Sequence, residues 1–400
     1  MGITFTSDEI TILDGDYTFE DIYQASVDAG NTYCRKLGTS YLISIDVILG
    51  DEETPTTLTG QNISVTIEGD LFQITKMTEL RLGTIDENGA TANGVYLSCP
   101  NIANSYGFGS NNRVDGITQS GNLFAYDSFI DIYGFWGFFG GDDQHCEVID
   151  CLVNGFGRIE GENSILENIT TQASHGRYGT LATKGKVKKY KNITSKKSND
   201  YKGHNCSIYF NPNYAPNMRV IGGTYAGYTE GLIYAEKNKS GVEEAGHITF
   251  VDSEIKDGYG GYYSDENTKL FIAYTFNPKF KDKNNNTMSD VQVTIVNNEG
   301  EEVFNDTSGE DGEISTELIC HIEDSNDSKS FSYFDVTAEK GDIKVTRRYP
   351  AGVTYKDFPF FVVEGGGSSS DDQCCLDDIQ EKLDNLQNYL EEKIENKGFL

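Results

Sequence analysis

The chain has 400 residues, of which 63 are acidic and 32 basic, giving a net charge of −31 with histidines neutral; a surface so negative repels phosphate backbones and sets nucleic-acid binding aside. Hydrophobic and aromatic contents of 37% and 12% exclude a disordered acidic tail, and the length calls for two or three domains rather than one small stapled core. Glycine at 43 residues against proline at 7 suits a turn-dense all-β protein.

The opening Met1-Gly2-Ile3-Thr4-Phe5-Thr6-Ser7-Asp8 has no basic n-region and no apolar h-region, so no secretory signal is expected there. No stretch approaches the ~20 apolar residues of a membrane span. Asp14 to Ala25 predicts a short helix: Thr18 is the N-cap, Asp21 sits at the capping-box position, and Ile22 and Ala25 share a face. Beyond it the helical period gives way to short β runs at Tyr41–Leu49, Ile63–Ile67, Glu79–Leu82, Val95–Leu97 and Phe129–Tyr133, separated by Gly, Asn and Asp.

Repetition is the strongest signal. Gly69-Asp70-Leu71-Phe72 recurs as Gly121-Asn122-Leu123-Phe124. Five segments then share a shape, starting at Ile149, Leu166, Tyr190, Val220 and Phe250, with spacings of 17, 24, 30 and 30 residues. An uneven period of this kind fits the coils of a solenoid whose loops vary. Their third residues, Cys151, Asn168, Asn192, Gly222 and Asp252, are small or suited to a side-chain-bonded turn, and stacking would make them a buried ladder along one corner. A glycine-containing turn or further strand follows each, as in Gly231-Leu232-Ile233-Tyr234-Ala235 and Gly260-Gly261-Tyr262-Tyr263. Over about residues 40 to 270 this pattern resembles right-handed parallel β-helices, as in pectate-lyase-like proteins and phage tailspikes; a β-propeller would need hairpin blades of ~40–45 residues.

From Phe271 alternation with hairpin turns begins: Val291 to Val296, a turn at Asn297-Asn298-Glu299-Gly300, a return at Glu301 to Phe304, and a second turn at Thr307 to Ile314. Further strands are expected at Phe331–Glu339, Ile343–Tyr349 and Phe358–Val363. This is similar to immunoglobulin-like or carboxypeptidase-regulatory-like sandwich modules, a likeness that carries little about activity. Gly365 to Ser370 reads as a flexible linker. Leu376, Ile379, Leu383, Leu386 and Leu390 then fall at heptad spacing, a coiled-coil or docking helix that needs a partner. At two and a half heptads it is marginal alone.

The eight cysteines form no zinc-ribbon pairs and no Cys-x-x-Cys. They read as small buried hydrophobes, except adjacent Cys374 and Cys375, which could bond between chains at the threshold of the helix. Eight Asn-x-Ser/Thr sequons, beginning with Asn62, Asn168 and Asn192, read as turn asparagines. The five histidines show no metal spacing, and nucleophile-elbow, phosphate-loop and dinucleotide motifs are missing. No cofactor is therefore called for, a structural divalent cation staying open. Asp142, Asp143 and His145 are weak catalytic candidates, because glycosidic cleavage needs an acid and a base or nucleophile across the bond. The aromatic run with Tyr133, Phe135, Trp136 and Phe138 is either core filling or a docking patch for a glycan or protein. Lys186, Lys188 and Lys189 belong to a basic stripe on this acidic chain, either a solvated strand edge or a complement to an acidic glycan or neighbouring subunit.

These features predict an all-β chain: residues 1–270 a cap helix and right-handed parallel β-helix, 271–364 an antiparallel β-sandwich, 365–375 a linker with the cysteine pair, and 376–400 the coiled-coil helix. The layout resembles phage or archaeal-virus fibre and tailspike proteins. That resemblance implies a non-enzymatic, structural or receptor-binding protein of a virion or extracellular appendage, located on the virion or cell surface. Its expected partners are other copies, a trimer being favoured, another virion or appendage protein, and a surface glycan. The alternatives are a β-helix polysaccharide depolymerase and a self-assembling filament subunit.

Overall fold

The computed structural model describes residues 2–363 except 52, 76, 103–107, 110–120, 133–144, 155–156, 160–163, 174–180, 184–188, 198–205, 211–216, 236–245 and 264–267. The described chain is predominantly β, with parallel sheets and a single α-helix among the described residues. It divides into two units, one of residues 1–273 and 319–330, the other of residues 274–318 and 331–400. Residues 319–330, which the sequence pattern assigns to the second domain, thus belong to the first unit.

The helix Phe19–Asp28 starts as its sequence dictates. Thr18 Oγ1 accepts from the Asp21 amide, and Asp21 returns a bond to the Thr18 amide at 2.7 Å, so two amides that the helix leaves unpaired are satisfied locally. Its buried face consists of Phe19, Ile22 and Ser26; Ala25 is only half-buried. Ser26 is drawn inward because its hydroxyl accepts from the Cys34 amide at 3.2 Å.

Past the helix, the chain of the first unit visits three sheets in a repeating order. Sheet one contains Thr56–Gly60, Thr78–Leu82, Asn122–Tyr126, Cys146–Ile149, Ile165–Glu167, Lys189–Lys191, Asn217–Ile221, Gly246–Val251 and the start of Thr268–Lys281, each parallel to the next. Sheet two takes the strand that follows: Ser64–Ile67, Tyr96–Cys99, Phe129–Ile132, Leu152–Asn154, Thr170–Ala173, Thr194–Lys197, Thr224–Ala226 and Glu254–Ile255. A third set, Gly157–Ile159, Leu181–Thr183, Cys206–Phe210, Gly231–Ala235 and Gly261–Tyr263, pairs in the same parallel manner.

In-register pairing stacks like on like inside. Leu82, Ala125, Val148 and Leu166 form one inward row of sheet one, and Val65, Leu97, Ile130 and Val153 one of sheet two. Nearly all are fully buried, and such alternating rows supply the apolar burial that offsets chain entropy. Cys34, Cys99, Cys146, Cys151, Cys206 and Cys320 are free and buried. Burial pushes the thiols of Cys34 and Cys151 up to about 12 and that of Cys320 up to about 11, so these are packing residues rather than nucleophiles.

The corner between sheets one and two holds a ladder. Asp127, Asp150, Asn168, Asn192 and Asp252 all have φ between 48° and 56°, and Gly222 has φ 68°. Asn and Asp tolerate this left-handed conformation better than other residues with a Cβ. Asn168 Nδ2 donates to Asp150 Oδ1 at 2.7 Å, and Asn192 Nδ2 donates to Asn168 Oδ1 at 2.9 Å. Backbone amides of the same residues reach the next strand's carbonyl at 2.7–3.1 Å.

Three sequence expectations change here. The ladder member of the first segment is Asp150, not Cys151, because Leu166 pairs with Val148 rather than Ile149, one residue away from the register that the sequence pattern implies. Asn168 and Asn192 are also exposed rather than buried. The residues turned inward are the following ones, Cys151, Ile169 and Ile193, since side chains switch face at each residue. The Gly69/Gly121 repeat does not mark equivalent positions either. Phe72 pairs with Val47 in a five-stranded sheet that also holds Glu9–Ile12 and Asp46–Leu49, whereas Leu123 pairs with Leu80 in sheet one.

In the second unit Gln292–Asn297, Glu302–Thr307, Tyr333–Lys340 and Ile343–Pro350 form an antiparallel sheet, with the end of Thr268–Lys281 pairing parallel to Tyr355–Phe361. Alternation buries Val293, Ile295, Val336 and Ala338. On the other face Arg348 bonds both oxygens of Asp335 at 2.8 and 2.9 Å.

Candidate binding face

Outward positions of sheet one lie in rows, because every parallel pair is in register. Glu79 stands beside Asn122, and Arg81 beside Phe124, which neighbours Glu147. His145, immediately before its strand, donates its amide to Asn122 Oδ1 at 3.1 Å. His145 Nε2 lies 3.0 Å from Glu147 Oε1, and Tyr126 donates its hydroxyl to Glu147 Oε2 at 2.7 Å. The Arg81 guanidinium sits 4.3 Å over the Phe124 ring and bonds Glu79 Oε2 at 2.8 Å through Nε. The Phe124 ring also tilts against His145, with centroids 5.6 Å apart.

The electrostatics of this cluster are settled by hydrogen bonding. Burial raises the Glu147 pKa, but bonds from Tyr126 and His145, with the charges of His145 and Arg81, outweigh it and hold the carboxyl below its ordinary value. Tyr126 moves the opposite way, through burial and its donation to Glu147. Glu147 is consequently an ionised acceptor with both oxygens engaged, and Tyr126 a neutral donor. A glycosidase acid needs the reverse, a carboxyl raised toward neutrality. What the cluster offers is a fixed array of a cation, an aromatic ring, an imidazole and two carboxylates on one flat face, a combination suited to holding a polar ligand.

Of the residues singled out by sequence, His145 is part of this cluster. Asp142, Asp143, Tyr133, Phe135, Trp136 and Phe138 lie outside the described residues, as do Lys186, Lys188, Cys374, Cys375, Leu376, Ile379, Leu383, Leu386 and Leu390. Lys189 opens a strand of sheet one, Lys189–Lys191. Lys191, another member of the stripe, pairs with Glu167 on the neighbouring strand at 3.1 Å.

Arg81, Phe124, Tyr126 and Glu147 escape sequence reading because nothing local distinguishes them; only the lateral pairing of residues 23 to 43 apart in sequence brings them together. A second missed feature is a tyrosine stack on the third set of strands. Tyr234 and Tyr262 are in register, their rings parallel within 6° and 5.1 Å apart, and Tyr209 holds the preceding register position. A tyrosine in each of the three consecutive strands Cys206–Phe210, Gly231–Ala235 and Gly261–Tyr263 was the available signal.

Among the described residues no three His, Cys, Asp or Glu side chains gather as a metal site would require. No described helix is long and apolar enough to cross a membrane. Comparison with family models, curated proteins and solved structures returns no match.

Proposed function

We propose that the chain is a non-enzymatic structural and attachment protein of a virion or extracellular appendage. In this reading residues 1–270 are a right-handed parallel β-helix, residues 271–364 a β-sandwich spacer, and the heptad segment 376–400 joins copies, a trimer being favoured, or docks the chain on another virion or appendage protein. The outer face of sheet one holds a surface glycan.

The observation that carries the reading is the in-register row Arg81, Phe124, Glu147 with His145 beside it. It places an aromatic ring and fixed polar groups on a continuous parallel sheet, where their spacing is set by backbone pairing rather than by a loop. The lowered pKa of Glu147 suits a hydrogen-bond acceptor and not a general acid. Against filament growth by strand addition stand the ends of the first unit. Antiparallel pairs, Ile3–Phe5 with Glu9–Ile12 and Cys34–Leu37 with Ser40–Ile43, break the parallel pattern at one end. Near the other the Gly261 amide donates to Glu323 Oε1 at 2.8 Å instead of to a further strand.

The test is a panel of neutral and acidic hexasaccharides titrated onto the full chain and onto an Arg81→Ala/Phe124→Ala variant, with reducing ends assayed in parallel. Retention of at least one glycan by the wild type, weakened about tenfold in the variant without new reducing ends, supports attachment. Failure of every glycan to bind overturns it, and release of reducing ends replaces it with the depolymerase reading.

A further inference from the structure

We infer that residues 319–330 carry a second site, in which Ser330 is a nucleophile activated by His321 and positioned through Glu323 to cleave short-chain carboxylic esters of a bulky alcohol. The inference goes beyond the attachment reading: it leaves attachment itself untouched and replaces only its non-enzymatic part.

The strand Thr316–Glu323 places His321 and Glu323 two residues apart, on one face. The strand Ser328–Ser330 runs antiparallel to it and sets Ser330 directly opposite His321, so backbone pairing brings the hydroxyl to the imidazole. The Ser330 hydroxyl lies 2.7 Å from His321 Nδ1, and His321 Nε2 lies 3.3 Å from Glu323 Oε2. The other carboxylate oxygen, Oε1, accepts the Gly261 amide at 2.8 Å, and the Tyr259 ring packs against the imidazole with centroids 4.7 Å apart. Both nitrogens of the imidazole and one flank of its ring are thereby fixed. All five residues belong to the first unit.

A carboxylate only accepts hydrogen bonds, so the imidazole proton belongs on Nε2, facing Glu323, and Nδ1 is left to accept from Ser330. That is the tautomer a general base needs. Exposure is graded along the chain of bonds: His321 is 4% exposed, Glu323 half-buried and Ser330 exposed. An imidazole satisfied only for packing does not require a solvent-facing hydroxyl as its partner; here the base is dry and the nucleophile is reachable. In the reaction Ser330 Oγ bonds to the acyl carbon and its proton passes to Nδ1, the imidazolium so formed being held by Glu323. The ester C–O bond then breaks, and the departing alcohol takes that proton. Water attacks the acyl-serine in turn and gives a proton to Nδ1, and the Ser330 oxygen recovers it as the carboxylic acid leaves. An exposed serine at a strand end admits a large alcohol, such as a hydroxyl of a polysaccharide. A long acyl chain binds where apolar walls enclose it, and a solvent-facing strand end favours a short one.

The probes are p-nitrophenyl acetate, p-nitrophenyl octanoate, an acetylated xylo-oligosaccharide and a fluorophosphonate label located by peptide mass mapping. They are applied to the full chain, to Ser330→Ala and to Glu323→Gln, with circular dichroism confirming each fold. The inference expects acetate release from both acetyl esters, slower turnover of the octanoate, label on Ser330, and a loss of turnover of about a hundredfold or more in Ser330→Ala. Glu323→Gln should lower kcat about tenfold or more and displace its pH profile, which a purely structural loss would not do. Absence of turnover in the wild type, unchanged turnover in Ser330→Ala, or label confined to other residues overturns the inference and leaves the cluster as a packing device. Faster octanoate turnover overturns the short-chain assignment, and hydrolysis of p-nitrophenyl acetate without release from the oligosaccharide overturns the bulky alcohol. Glycan retention on the sheet-one face is read separately and bears on the attachment reading alone.

Discussion

Asn168→Leu tests the corner ladder, on which the stacking register depends. The side chain makes two hydrogen bonds, 2.7 Å to Asp150 and 2.9 Å from Asn192. Both are at the exposed surface, so each is worth the lower end of the usual range, about 0.5 kcal/mol, and the orphaned partners turn to water without a desolvation cost. Residue 168 has φ 53°, which costs a leucine about 1 kcal/mol more than a residue able to bond its own backbone region. The total is about 2 kcal/mol, or roughly a thirtyfold change in an opening equilibrium. Because the chain comprises two units, a single melting transition would blur this effect. Amide exchange is sharper, read at Asp150, Asn168 and Asn192, whose N–H groups bond the next strand at 3.0, 3.0 and 2.7 Å. Asn168→Asp supplies the contrast: it keeps the shape and still accepts from Asn192, but it faces the Asp150 carboxylate with another. Like charges near 4 Å repel by about 1 kcal/mol in water, so this loss must shrink in high salt, whereas the leucine loss must not. Exchange rates for Asn168→Leu within a factor of two of wild type, or a salt-independent Asn168→Asp, would refute the ladder as a stabilising element.

Three further outcomes follow from particular contacts. Gly94→Ala places a methyl group over the Asp127 carbonyl oxygen of the next repeat; with backbone on both sides neither can yield, and chemical denaturation should show a loss of about 3 kcal/mol. Asp335 is held below its ordinary pKa by its hydrogen bonds from Arg348, which outweigh burial. A depressed carboxylate stabilises above its unfolded value and loses that contribution as pH falls through the folded one, so melts of Arg348→Ala should fall short of wild type at pH 7 and converge with it well below the unfolded value of about 3.9. Deleting residues 376–400 should lower the mass in sedimentation without altering the β circular dichroism, because a glycine-serine tether transmits little packing.

How far the chain is legible depends on how local each cause is. The Thr18/Asp21 cap, the short strands, the change of pattern near residue 271 and the segment starts at Leu166, Tyr190, Val220 and Phe250 can all be read from adjacent residues, since caps, turns and alternation are short-range chemistry. Leu166, Tyr190 and Val220 do align as their spacing implied. Position 149 did not, because apolar runs such as Val148-Ile149 satisfy either register until a neighbour selects one. Gly69-Asp70-Leu71-Phe72 and Gly121-Asn122-Leu123-Phe124 match in letters but occupy different sheets, which no window of sequence can distinguish.

Sequence by itself determined an acidic, predominantly β chain with a capped helix and repeated strands, since composition and period decide those. Tertiary structure alone decided which face each ladder residue takes and which far-separated residues surround His145. Parallel pairing joins residues across loops of unequal length, so neighbours on the surface are set by register, a property of the assembled sheet rather than of any segment within it.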